Sequence, residues 1–210
     1  MHKNLHHINH PLLQHKLGFL RDKNTNSSEF RNISTEIAKA LAYEAMRDWK
    51  DLSSLEVETP MSKTQIKRLV NPPCAVAILR AGNGMLDGVL SMIPIASAGF
   101  IGIYRDKFIH NTVEYYFKLP ADVKGREILL CDPLVATADT MIAAIDRLKS
   151  YQVGKITVLS FLCSKHALER LESFHPDVRI FTLNVETDMT DNGYLVPGLG
   201  DAGDRLYQTK

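Results

Sequence analysis

The chain has 210 residues, 45% of them hydrophobic and 23% charged, with 25 Lys and Arg against 24 Asp and Glu. That apolar content excludes a disordered chain, and a formal net charge of +1 argues against binding nucleic acid or a membrane surface through net charge alone. The length suits one domain with extensions, able to bury about 70% of its unfolded surface without disulfides or a structural metal. Cys74, Cys131 and Cys163 stand apart in apolar runs with no CxxC spacing, which predicts reduced, buried thiols. No apolar run reaches the ~18 residues of a membrane span. The opening MHKNLHHINHPLLQHK also lacks the apolar stretch of a signal peptide, so a cytoplasmic protein is expected.

Five of the eight histidines, His2, His6, His7, His10 and His15, fall within the first fifteen residues. His6 and His10 have helical i,i+4 spacing, but Asn9 and Pro11 argue against a helix there and no carboxylate or cysteine completes a ligand set. Residues 1 to about 25 are therefore expected to form a flexible or subunit-wrapping arm. After Ser27 and Ser28, which can cap a helix, Phe30, Ile33, Ile37, Leu41 and Ala45 recur at steps of three or four. This predicts an amphipathic helix to about Trp49.

Beyond it, CAVAIL (74–79), GFIGIY (99–104), REILLC (126–131), KITVLSFLC (155–163) and VRIFTLNV (178–185) read as short apolar strands. GMLDGVLSMI (84–93), TMIAAIDRLKS (140–150) and SKHALERLESF (164–174) read as the helices between them. Near-continuous apolar strands alternating with helices predict an α/β fold with a mostly parallel twisted sheet flanked by helices. HNTVEYYFKLP (110–120) reads as an antiparallel strand or flap, and the last thirty residues as loop-rich.

Ligands of open α/β sheets bind outside the carboxyl ends of the strands, and three loops are unusual there. In ILRAGNGM (78–85), Arg80 follows an apolar strand and Gly82 and Gly84 open a helix. Such glycines let backbone N–H groups approach an anion, or simply close a tight turn. A dinucleotide fingerprint would need glycine at position 87, which is Asp87, so a nicotinamide oxidoreductase is the weaker reading. In CDPLVATADT (131–140), Asp132 at a strand end can bind ribose hydroxyls. The Ala-Thr-x-x-Thr turn after it offers N–H and hydroxyl donors to a phosphate, and Thr137 or Asp139 could equally serve only as a helix cap. GYLVPGLGDAGDRLY (193–207) gathers Gly193, Gly198, Gly200 and Gly203 with Asp201 and Asp204. It is too glycine-rich for helix or regular strand, which reads as a backbone shaped for some purpose rather than as a bland surface loop.

The combination ILRAG, YRD (104–106), DPLVAT and YLVPGLGDAGDR, with HPLLQHKLGFLRD (10–22) near the start, resembles the uracil phosphoribosyltransferases from about residue 8 to 210. The resemblance implies a type I phosphoribosyltransferase-like fold with a flap and a C-terminal base-binding loop. It implies the reaction of uracil with PRPP to give UMP and pyrophosphate in pyrimidine salvage. By the same resemblance Arg80, Arg105 and Asp201 are the catalytic residues, the two arginines meeting pyrophosphate. PRPP is bound by these three together with Asp132, Pro133, Leu134, Val135, Ala136, Thr137, Ala138, Asp139 and Thr140. Uracil is read by Leu195, Gly200, Asp201 and Ala202, largely through backbone groups. Mg2+ is the implied cofactor, held mainly by PRPP itself, and GTP is a candidate effector. A homo-oligomer is expected, with no membrane or nucleic-acid partner.

Three places depart from the family's pattern. Its phosphate turn reads A-T-G-G followed by Ser or Thr, where this chain has Ala136-Thr137-Ala138-Asp139-Thr140. Asn83 replaces an apolar residue, and KFIHN after YRD lacks an acidic start. Either Asp139 turns away and caps the next helix, or the turn has lost its phosphate. In the latter case the chain is a weakened paralogue with a uracil- or nucleotide-binding regulatory role.

Overall fold

A computed structural model describes residues 3–106 and 111–209. From the N-terminus, β1 (Leu5–His7), α1 (Pro11–Arg21) and α2 (Ser27–Ala45) lead into a hairpin of β2 (Leu52–Glu58) and β3 (Lys63–Leu69). Then come β4 (Cys74–Leu79), α3 (Asn83–Met92), β5 (Ser97–Asp106), β6 (Asn111–Lys118), β7 (Ile128–Cys131), the short β8 (Leu134–Val135) and α4 (Asp139–Ser150). The rest holds β9 (Ile156–Ser164), α5 (Lys165–Phe174), β10 (Arg179–Glu186), the pair β11 (Asp188–Met189) and β12 (Leu195–Val196), and α6 (Ala202–Tyr207).

The main sheet runs β1-β10-β9-β7-β4-β5-β6. It is parallel from β1 to β5, β6 closes it antiparallel on β5, and β8 adds to β9. Strand β9 is buried at all nine positions, the mark of a strand covered on both faces. Alternate residues of β4 divide the core. Ala75 and Ala77 pack toward the layer of Leu17, Phe30, Ile37 and Met85 from α1, α2 and α3. Val76 and Ile78 pack toward Met141, Ile145, Leu148 and Leu171 from α4 and α5. The predicted strands, helices and fold class are all found. Helix α2 stops at Ala45, and its cap is Asn26, which accepts from Glu29 N–H, rather than Ser27 or Ser28.

Within the stretch expected to form an arm, the described residues hold two regular elements that pack on the sheet and the core. Strand β1 pairs with β10 in the register Leu5↔Ile180, and α1 buries Leu13, Leu17 and Leu20. Pro11 opens α1, where its missing N–H would have no helical partner in any case. The histidines serve the same framework. The His6 ring stacks on Phe181 at 4.3 Å, His7 Nε2 lies 2.8 Å from the Leu183 carbonyl, and His10 Nδ1 caps α1 by accepting from Leu12 N–H. His2 lies outside the described residues. No helix among them is long and apolar enough to cross a membrane, and all three cysteines are free and buried.

Candidate active site

Strands β4 and β7 lie side by side, so the loops that follow them meet at one edge of the sheet. Gly82 makes that meeting possible. A Cβ there would sit 2.1 Å from the Cys131 carbonyl oxygen and 2.7 Å from Ile78 N and O, so any side chain would collide with backbone. Arg80, just past β4, reaches the C-terminal segment, its Nη1 donating to Thr209 Oγ1 at 2.8 Å and its Nη2 to Asp204 Oδ1 at 3.2 Å. Asn83 follows it across, donating to the Tyr207 hydroxyl at 3.3 Å. The departure at that position is thus a polar tie between α3 and α6. Asp201 caps α6 by accepting from Asp204 N–H at 2.9 Å. Arg80 and Asp201 both border Gly203.

The segment read as unsuited to regular structure contains both β12 and α6. Gly193, Gly198 and Gly200, with φ of +81°, +56° and +79°, lie just outside them, so the glycines shape the turns and leave the short elements intact. Gly198 is fixed by contact as well as conformation, since a Cβ would lie 2.2 Å from the Leu195 carbonyl oxygen.

Two cavities adjoin at this edge. One, of about 230 Å3, is lined by Ala81, Leu134, Ala136 and the stretches 193–195 and 200–203. It includes the expected base-reading residues Leu195, Gly200, Asp201 and Ala202. The other, of about 140 Å3, is lined by Asp132, Leu134, Val135, Ala136, Thr137, Ala138, Thr140 and Met141. The two share Leu134 and Ala136 as lining residues. A larger cavity of about 620 Å3 opens on the far side of Gly200 and Asp201, toward Lys23, Thr25 and Ser27.

Asp132 is half-buried at the end of β7. Loss of water pushes its carboxyl up to about 7, against only a weak pull from Leu134 N–H. Behind Pro133, the turn is built differently from the expectation. The residue before α4 is Ala138, left-handed at φ +66° and making no side-chain cap, so the cap position falls to neither Thr137 nor Asp139. Asp139 does turn away, but toward Arg170, whose Nη1 donates to Asp139 Oδ1 at 2.6 Å and to the Thr137 carbonyl at 2.5 Å. The carboxylate is therefore compensated. Arg105 lies near the end of β5, at the same edge of the sheet. Its side chain, and residues 107–110 of the expected flap, lie outside what is described.

Sequence reasoning assigned no role to three arginines that pin the C-terminal loop. Arg205 donates to the carbonyls of Leu20, Leu199 and Asp22, with its guanidinium 4.4 Å over the Phe30 ring. Arg21 donates to the Gly198 carbonyl at 2.8 Å and pairs with Glu186, and Arg31 donates to the Leu206 carbonyl at 2.8 Å. The signal was only that Arg21 and Arg205 fall inside quoted motifs. Among the described residues no cluster of three His, Cys, Asp or Glu side chains could hold a metal by itself.

A family model described as uracil phosphoribosyltransferase matches residues 7–209. Curated uracil phosphoribosyltransferases of Geobacillus kaustophilus and Streptococcus pneumoniae are each 45% identical to the chain over 204 residues, covering 97% of it and 97% of the relative. A solved structure of a protein from Aquifex aeolicus superposes with a TM-score of 0.92 at 33% identity, covering 98% of this chain and 99% of that one. An adenine phosphoribosyltransferase of Leishmania donovani shares the fold at 11% identity, with a TM-score of 0.58 over 90% of this chain and 86% of its own.

Proposed function

The chain belongs to the uracil phosphoribosyltransferase family, and from that premise we propose that it makes UMP and pyrophosphate from uracil and PRPP, as a pentosyltransferase of pyrimidine salvage. One observation carries the residue-level reading: a cavity lined by the glycine-rich stretches 193–195 and 200–203 and a second cavity at the start of α4 share Leu134 and Ala136. That pairing suits a flat base bonded to a ribose 5-phosphate.

Uracil presents an acceptor–donor–acceptor edge to the backbone of Leu195, Gly200 and Ala202. Cytosine reverses two of these positions and leaves buried groups unpaired. The turn from Ala136 to Thr140 takes the 5′-phosphate on its N–H and hydroxyl groups at the start of α4. Pro133, Leu134 and Val135 set the path of the chain between ribose and turn. Asp132 in its ionised form accepts from the ribose hydroxyls. Arg80 and Arg105 meet the pyrophosphate. The C1′–O bond breaks with its electron pair leaving on pyrophosphate, and uracil N1 bonds to C1′ as its proton passes to the departing pyrophosphate or through it to water. Asp201 is the only carboxylate lining the base cavity among the described residues, and its Oδ1 already caps α6. The step therefore rests on placement and charge stabilisation more than on a side-chain base.

Mg2+ would neutralise part of the pyrophosphate charge. The donor set fits an ion that takes most of its oxygens from PRPP and water, with the second oxygen of Asp201 as a protein ligand. Three free, buried cysteines suit a reducing cytoplasm. The reading of a weakened paralogue began from the loss of both turn glycines, the Asp139 carboxylate and the changes at Asn83 and KFIHN, and the Arg170 pair answers the charge of Asp139.

The purified protein with uracil, PRPP and Mg2+ is expected to release UMP and pyrophosphate one for one, and to stop when Mg2+ is chelated. Adding GTP to the same assay tests the effector. Absence of UMP, or equal consumption of adenine or hypoxanthine, would overturn the proposal.

A further inference from the structure

We propose that Arg170, which touches neither cavity, is a positioning residue for the 5′-phosphate of PRPP. It holds the 136–139 turn in its binding shape and cancels the charge of Asp139. The inference rests on the reading of that turn as the phosphate site.

Helix α5 grips the back of the turn at two successive carbonyls. Ser164 Oγ donates to the Ala136 carbonyl at 2.5 Å while capping α5 by accepting from Ala167 N–H at 2.7 Å. Two helical turns later, Arg170 Nη1 donates to the Thr137 carbonyl at 2.5 Å. A trans peptide aims its carbonyl and the following N–H in opposite directions. Drawing these two carbonyls toward α5 therefore turns the N–H groups of Thr137 and Ala138 away from it. That is the side of the 140 Å3 cavity, which no described α5 residue lines.

The same guanidinium nitrogen takes Asp139 Oδ1 at 2.6 Å. Both side chains are largely sheltered, 31% exposed for Arg170 and 23% for Asp139, so their charges are less screened than those of a surface pair. Without Arg170, a carboxylate at the first position of α4 would stand beside a doubly charged phosphate. Ala138 also sits at φ +66°, a left-handed conformation that is unfavourable for alanine. An outside tether therefore has both a backbone shape and a charge to maintain.

The test compares the wild type with Arg170→Met, Asp139→Asn and the double variant. Arg170→Met should raise KM for PRPP about tenfold while kcat and KM for uracil stay within about threefold, because the 5′-phosphate is held alike in ground and transition states. Asp139→Asn in the Arg170→Met background should recover at least about threefold of that loss. If Arg170→Met does not fold, Arg170→Lys takes its place, with KM for PRPP raised about threefold at unchanged kcat. A purely structural tie would lower Tm without this KM split and without rescue by Asp139→Asn, and either result overturns the proposal. Calorimetric titration with ribose 5-phosphate separates the two readings. If the wild type makes no UMP but Arg170→Met binds ribose 5-phosphate more weakly than the wild type does, the positioning role stands and the transferase falls. A wild type that makes UMP beside an unaffected variant would do the reverse. A wild type that neither makes UMP nor binds ribose 5-phosphate would overturn both.

Discussion

Burial at the end of β7 lifts the Asp132 carboxyl from an ordinary 3.8 to about 7, and this sets stability against chemistry at one residue. The folded chain holds this proton more tightly than the unfolded one, so stability falls as pH rises from about 4 to about 7 and the full cost persists above. Asp132→Asn should therefore raise Tm near pH 8, with the gain vanishing near pH 4, and thermal scans at both values check it. The same variant loses its charged acceptor for the ribose hydroxyls, and kcat/KM for PRPP should drop about 100-fold. In the wild type, kcat/KM for PRPP should climb as pH rises through about 7, when Asp132 ionises. Asp201 also has two duties, because it caps α6. Asp201→Asn keeps a capping oxygen and Asp201→Ala does not, so only the alanine variant should lose about 1 kcal/mol of stability. Both should lose most turnover, and an asparagine variant with wild-type kcat/KM would contradict the role given to the charge.

Among elements, the C-terminal loop depends on contacts far away in sequence. Arg205 binds carbonyls at Leu20 and Asp22 and at Leu199, so it ties the base cavity to the turn between α1 and α2. Arg205→Met should raise KM for uracil about tenfold, with less effect on PRPP, and lower Tm as buried carbonyls lose a charged donor. Equal loss for both substrates would show general loosening instead. Such long-range ties explain what was legible in the sequence and what was not. Strands β4 and β7 announce themselves because their runs are apolar throughout, and β9 and β10 because most of their residues are apolar and buried. Helix α1 was missed because Pro11 reads as a breaker until its place at the first turn is seen. The hairpin of β2 and β3 was missed because its residues are mostly exposed, which leaves little apolar alternation to detect. The site loops were legible through glycine spacing and the family motifs. Arg170 was not, because an arginine on a helix signals nothing until the fold sets it against Asp139.

At the scale of the whole molecule, apolar surface remains uncovered. Leu55 and Ile66 are cross-strand partners in the hairpin, 42% and 40% exposed, and Met61 at its tip is 92% exposed. On β6, Tyr115 and Tyr116 are exposed, while Phe117 packs under Arg147 and beside Tyr151. Apolar surface of this kind is expected to be covered by another copy. Light scattering should give at least a dimer, and Leu55→Asp with Ile66→Asp should reduce the mass toward the 23.6 kDa of one chain. A monomeric wild type would refute the oligomer, and an unchanged mass in the double variant would remove the hairpin from its interface.

Specificity for uracil, read by the backbone of Leu195, Gly200 and Ala202 in the cavity beside the 136–140 turn, is the proposal on which the rest depends. Base discrimination in PRPP-dependent turnover tests it most directly. The kcat/KM for uracil should exceed that for cytosine by ~10,000-fold, the scale reached when a wrong partner leaves buried hydrogen-bonding groups unpaired. A cytosine value within about tenfold of uracil would contradict the account, since one methylene of hydrophobic fit alone could supply that much.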